Sequence, residues 1–206
     1  DARLETRRIE EQLGRLFESR GFRVVLNWQP VDESDARAGE VDLICALGRI
    51  VLVLEVKSTF IRQSQRDAWL HGTTTLRKAG HQLRRKVPAV ARALSEGSDL
   101  AAELNLAGDA GSVSVHGWIV DTSIECDHQR FSGFLKVSLE EVLIALRDDR
   151  HLLNDPEGIF SGRYQEDELT IAGDAHAEAS LYPKGFTVDD FMDAVEKEAV
   201  WEELGG

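Results

Sequence analysis
The stretch GEVDLICALGRIVLVLEVKST, Gly39–Thr59, decides the fold. Val41–Ala46 and Ile50–Lys57 are apolar and rich in β-branched residues, and Gly48-Arg49 between them reads as a two-residue hairpin turn whose leading Gly suits type II′. With that turn Leu47 pairs with Ile50, and counting back places Asp42 directly opposite Glu55. Strand residues alternate faces, so Glu55 and Lys57 project to the same side with the Val56 carbonyl between them. Two carboxylates whose β-carbons lie about 5 Å apart repel each other. A cation between them removes the repulsion, and hard oxygen ligands suit Mg²⁺ or Mn²⁺. Lys57 beside them is a point charge able to orient a water or stabilise charge on a phosphoryl oxygen. The plain alternative is a surface hairpin carrying a Glu-Lys ladder. Against it, Val51, Leu52, Val53 and Leu54 form the unbroken apolar run of a central buried strand, and charges ending such a strand need a reason.

Outward from this hairpin, Leu4–Arg20 carries Ile9, Leu13, Leu16 and Phe17 at helical spacing, with Gly21 where a C-cap glycine is expected. Phe22–Trp28 reads as a strand and Pro30–Gly39 as an exposed loop. Downstream, Thr73–Lys86 is expected to be a helix, with Pro88 either starting another or kinking it. Ser98–Leu106 reads as a short helix, and Val113–Asp121 and Phe134–Val137 as strands. Ser138-Leu-Glu-Glu141 is a capping box opening a helix to about Leu153, and Thr187–Leu204 is a further helix with an apolar stripe of Val188, Phe191, Met192, Val195 and Ala199. The order α-β-β-β-α-β-β-α implies a mixed sheet flanked by helices.

The length of 206 residues suits one domain with an appendage. Beginning with Asp1, the sequence reads as a piece of a longer chain. Two cysteines, Cys45 and Cys126, make no disulfide framework, so a reducing compartment is expected. No apolar run reaches the roughly 18 residues of a membrane span, and the N-terminus has no signal-peptide core, which points to a cytoplasmic protein without a membrane partner. The net charge of −13 argues on its face against nucleic acid. Mapped along the chain, it does not: residues 1–110 carry 17 bases and 16 acids, and residues 140–206 carry 5 bases and 18 acids. Between Lys57 and Arg92 nine bases face a single acid, Asp67. That segment is either a solvated helix face or a phosphate-contacting strip.

Asp42, followed by Glu55-x-Lys57 at the end of a hydrophobic strand and preceded by a helix bearing a Glu, resembles the PD-(D/E)XK nuclease superfamily. More narrowly, the sequence is similar to its nuclease-related-domain and archaeal Holliday-junction-resolvase branches. IEEQLGRLFESRGF, Ile9–Phe22, is similar to the first helix of those enzymes, whose acidic residue maps to Glu10. Helical phase agrees, because Glu10 lies three residues before Leu13 and seven before Phe17, on the inward edge. In the nuclease-related branch a Gln on the helix after the Lys strand joins the site, and Gln82 in KAGHQLRRK matches it. The usual Pro before the Asp is absent, Val41 standing there instead. The resemblance covers residues 4–150, and nothing from 154 onward belongs to it.

The resemblance implies a restriction-endonuclease-like nuclease domain over 1–153, followed by an acidic extension over 154–206. It implies Mg²⁺- or Mn²⁺-dependent hydrolysis of DNA, with RNA left open, in an effector domain of a restriction, phage-defence or repair system. Asp42, Glu55 and the Val56 carbonyl would hold the metal, and Glu10 would reach it directly or through water. Lys57 would position the attacking water, and Gln82 would join Arg62, Arg77, Lys78, Arg84, Arg85 and Lys86 on the nucleic-acid backbone. The contrasting expectation is a nuclease-fold module that binds DNA or a partner protein without cutting. The acidic segment reads as a contact for a partner or as a mask over the basic strip, and the apolar stripe of the last helix as a dimer interface or a face docked on its own core. Six histidines show no paired metal spacing, Cys126-Asp127-His128 reads as an ordinary loop, and Trp69, expected in a loop, is a candidate for stacking on a base.

Overall fold
A computed structural model of the chain describes residues 2–58, 64–106, 112–148 and 180–201. The described chain divides into two compact units, residues 1–140 and 141–206. The expected boundary near residue 153 lies outside the described residues, as do Arg62 and most of the acidic segment.

The first unit is built on a six-stranded mixed sheet. Helix α1 (Ala2–Ser19) leads into β1 (Arg23–Trp28), a 3-10 turn (Glu33–Ala38), β2 (Val41–Leu47) and β3 (Ile50–Lys57). Helix α2 (Gln65–Leu70) runs through a π-helical turn (His71–Leu76) into α3 (Arg77–Ser95), followed by the short α4 (Asp99–Glu103). Strands β4 (Ser114–Asp121), β5 (Arg130–Phe131) and β6 (Phe134–Ser138) complete the sheet, in the order β1-β2-β3-β4-β6-β5. β1–β2, β2–β3 and β5–β6 pair antiparallel, whereas β3–β4 and β4–β6 are parallel. The hairpin has the expected register, Leu47 opposite Ile50 and Leu43 opposite Leu54. Its turn holds Gly48 at φ 58°, the conformation that the first residue of a type II′ turn demands and that glycine adopts without strain.

Alternation divides the sheet into two faces. Ile44, Ala46, Val51, Val53 and Ile119 pack with Leu76, Ala79, Leu83, Val90 and Leu94 of the long helical segment. Their spacing of three and four makes the inward stripe of α3. On the other face α1 lies against β1, β2 and β3, its Gly14 close to the side chains of Val24, Leu26 and Leu43. Leu13 and Phe17 supply its buried stripe.

In the first unit several elements depart from sequence expectation. The helix after β3 begins at Gln65, so Trp69 sits on α2, 64% exposed, and not in a loop. Pro88 does not start a separate helix but lies inside α3, on its exposed side. The two-residue β5 was too short to leave a periodic signal. It is held against α3, where a Cβ on Gly80 would lie 2.5 Å from the Phe131 carbonyl oxygen.

In the second unit the C-terminal part of α5 (Leu139–Arg147) is stitched to residues 180–186. Asp148 accepts hydrogen bonds from Ser180 Oγ (2.5 Å) and the Leu181 amide (2.7 Å), and Tyr182 Oη donates to the Ala145 carbonyl (2.6 Å). Thr187 caps α6 (Val188–Glu196), accepting from the Asp190 amide. Of the apolar stripe expected of this helix, Phe191, Met192 and Val195 are buried and Val188 and Ala199 are half-buried. Helix α6 stops at Glu196 and not at Leu204.

Candidate active site
The polar ends of β2 and β3 meet α3 on the face that α3 covers. Asp42 stands one register step beyond the Leu43–Leu54 pair, and its Oδ2 accepts a hydrogen bond from the Val56 amide at 2.8 Å. In an extended strand the N–H and C=O of one residue point to the same neighbour, so the Val56 carbonyl also faces the β2 side. Glu55 is 1% exposed, and Lys57 Nζ donates to its Oε1 at 2.7 Å. Lys86 Nζ donates to Glu55 Oε2 at 2.5 Å and lies 3.8 Å from Asp42 Oδ1. One buried ammonium therefore spans both carboxylates. Lys86 had been expected on the phosphate-reading strip; the structure corrects this, since it is 3% exposed. The cause is helical phase: Lys86 lies three residues after Leu83 and four before Val90, on the inward edge of α3.

Glu10 comes from α1, 6% exposed, and feels this cluster electrostatically. Burial, then the charges of Asp42, Glu40 and Glu55, push its carboxyl up to about 7, opposed by Arg7. Asp42 is pushed up to about 6 by burial and by Glu55, opposed by Lys86, the Val56 amide and Lys57. Two acids that resist ionisation beside a third define a place where added positive charge is favourable. Among the described residues no three His, Cys, Asp or Glu side chains converge closely enough to hold a metal ion by themselves. The Asp42–Glu55 pair still fits Mg²⁺, which is commonly held by one or two carboxylates and completes its octahedron with water and substrate oxygens.

Gln82 lies one helical turn before Lys86. Its Oε1 is buried, with no hydrogen-bond partner among the described residues, an orphaned acceptor on the edge of the site. Arg77, Lys78, Arg84 and Arg85 are exposed on the adjoining face of α3. With Thr73, Thr74 and His81 they line an open cleft of about 700 Å³. In helical projection Lys78 and Arg85 lie side by side next to Gln82, so the basic strip runs along the edge of α3 that Gln82 occupies. Arg92 does not belong to it, because its guanidinium forks onto the buried Asp35 and pins the 3-10 turn to α3.

The sequence reading missed Asp121 and His71. Asp121 ends β4 in register with Lys57, fully buried, and His71 Nε2 lies 2.7 Å from its Oδ2. The signal was present, since VSVHGWIVD ends an apolar strand in an acid just as β3 ends in Glu-x-Lys. His71 left none, as its π-helical turn has no sequence signature. Cys126-Asp127-His128 is a turn in which Asp127 accepts from the buried Lys136 Nζ at 2.5 Å. No helix among the described residues is long and apolar enough to cross a membrane. No family model, curated protein or solved structure matches the chain.

Proposed function
We propose that this chain is a metal-dependent nuclease that hydrolyses phosphodiester bonds of DNA on a restriction-endonuclease-like core. The observation that carries the reading is the buried Glu55 held by Lys57 and Lys86 beside a half-buried Asp42, with the buried Glu10 of α1 near enough to feel both carboxylates and with Glu10 and Asp42 held towards neutrality. A scaffold gains nothing from carboxylates packed at such cost. Asp42, Glu55 and the Val56 carbonyl hold Mg²⁺ or Mn²⁺, with Glu10 reaching it through water. The metal, when bound, supplies a water of lowered pKa and a counter-charge for the phosphoryl oxygens. Lys57, anchored on Glu55, orients the attacking water and stabilises the charge that develops at phosphorus. Arg77, Lys78, Arg84 and Arg85 grip backbone phosphates, which positions the duplex and reads no sequence.

One observation favours a second reading, a binding module that does not cut: both Glu55 oxygens already hold lysine ammoniums. Cleavage and binding assays separate the two. The nuclease reading expects Mg²⁺- or Mn²⁺-dependent cleavage that Lys57→Met abolishes. The second expects no cleavage and a salt-sensitive gel shift that survives EDTA.

A further inference from the structure
The place between Asp42 and Glu55 that suits a divalent cation is the place where the Lys86 ammonium sits. We propose that Lys86 is a tethered competitor for the metal: it occupies the carboxylate pair in the metal-free protein and swings to Gln82 when a divalent cation arrives. This inference rests on the metal-dependent reading of the site.

Three observations carry it. Lys86 is buried and its donor lies 2.5 Å from one Glu55 oxygen, the other oxygen being held by Lys57. A cation that binds Glu55 therefore meets an ammonium at either oxygen. Lys57 is a quarter exposed and comes from the same strand, whereas Lys86 is 3% exposed and bridges towards Asp42 as well, so Lys86 is the one in the way. Finally, a displaced ammonium needs an acceptor, and Gln82 Oε1 is buried with no hydrogen-bond partner among the described residues, four positions earlier on the same helix. Long helical side chains lean towards the N-terminus over the residue four before them, so Lys86 reaches Gln82 by a change of rotamer without moving the backbone. The metal brings its own charge to the carboxylate pair, and Lys86 keeps its proton on a neutral acceptor. One charge-assisted bond is replaced by metal ligation, and the orphaned carbonyl of Gln82 gains a donor.

The test is Mn²⁺ binding, read from the electron paramagnetic resonance signal of the free aqua ion at about pH 8. Lys86→Met should bind Mn²⁺ about 10- to 100-fold more tightly than wild type, the factor equivalent to one charge-assisted hydrogen bond. Gln82→Met keeps the Lys86–Glu55 pair and loses the acceptor. It should weaken Mn²⁺ binding several-fold in the wild-type background, have no effect in the Lys86→Met background, and leave the melting temperature of the metal-free protein unchanged or raised. Equal affinity in wild type and Lys86→Met overturns the inference while leaving the metal site standing. If Lys86→Met fails to fold, unchanged affinity in Gln82→Met overturns it alone. Absence of Mn²⁺ binding in every variant overturns the metal-dependent reading and this inference together. Tighter binding by Lys86→Met with no cleavage of any nucleic acid supports the inference and overturns the nuclease reading.

Discussion
Glu10→Gln removes an acid that the fold resists ionising, and it should make the protein more stable. Burial and the charges of Asp42, Glu40 and Glu55 raise the Glu10 carboxyl from an ordinary 4.5 to about 7. A raised carboxyl keeps its proton longer in the native state than in the unfolded chain. Stability is therefore unaffected below the unfolded value, falls as pH climbs between the two values, and carries the whole penalty above the folded one. At 1.36 kcal/mol per pH unit the penalty is about 3 kcal/mol near pH 8. Asp42 titrates in the same range and relaxes when its neighbour is neutral, so about 2 kcal/mol is the expected gain. In a chain of this length that corresponds to about 4–8 °C in Tm. Thermal unfolding followed by circular dichroism in EDTA at about pH 8 and about pH 5 measures it. The gain should be present at the higher pH, shrink to a few tenths of a kcal/mol at the lower, and shrink again at high pH when Mg²⁺ is added, because the metal stabilises the ionised form. A gain of equal size at both pH values, or a loss at pH 8, refutes the reasoning.

Glu55→Gln should abolish cleavage and also lower stability by about 3 kcal/mol, because it strands the buried Lys86 ammonium; the urea midpoint should recover when Lys86→Met is added. Arg84→Ala and Arg85→Ala should each weaken DNA binding on every sequence and lower the slope of log K against log salt by about 1. Arg92→Ala, by contrast, should lower Tm through loss of the Asp35 fork and leave that slope unchanged in the same titration. Gly80→Ala should cost about 1–3 kcal/mol in chemical denaturation, since its methyl would meet the Phe131 backbone at 2.5 Å.

Much of the fold could be read from the chain because its hairpin carries three consistent signals. Gly48 permits the turn, the unbroken apolar run marks β3 as central, and the charges that end it mark the site. The helical phase of Glu10 relative to Leu13 and Phe17 likewise placed it on the inward edge, and it is buried. The same test applied to α3 separates Lys86 from Arg84 and Arg85, but a count of charges along the chain treats the three alike. Arg92 was miscounted for a related reason: its partner Asp35 lies in a loop whose approach to α3 depends on tertiary packing. The pairing of His71 with Asp121 joins residues fifty positions apart through a π-helical turn, and no local pattern encodes it.

The central claim is that the Asp42–Glu55 pair is a hydrolytic metal centre. It is tested most directly by incubating wild type and Asp42→Asn with DNA and RNA in Mg²⁺, in Mn²⁺ and in EDTA, and measuring product. The account predicts metal-dependent cleavage by wild type alone, absent in EDTA. No cleavage of either nucleic acid with either metal, or equal cleavage by Asp42→Asn, contradicts it.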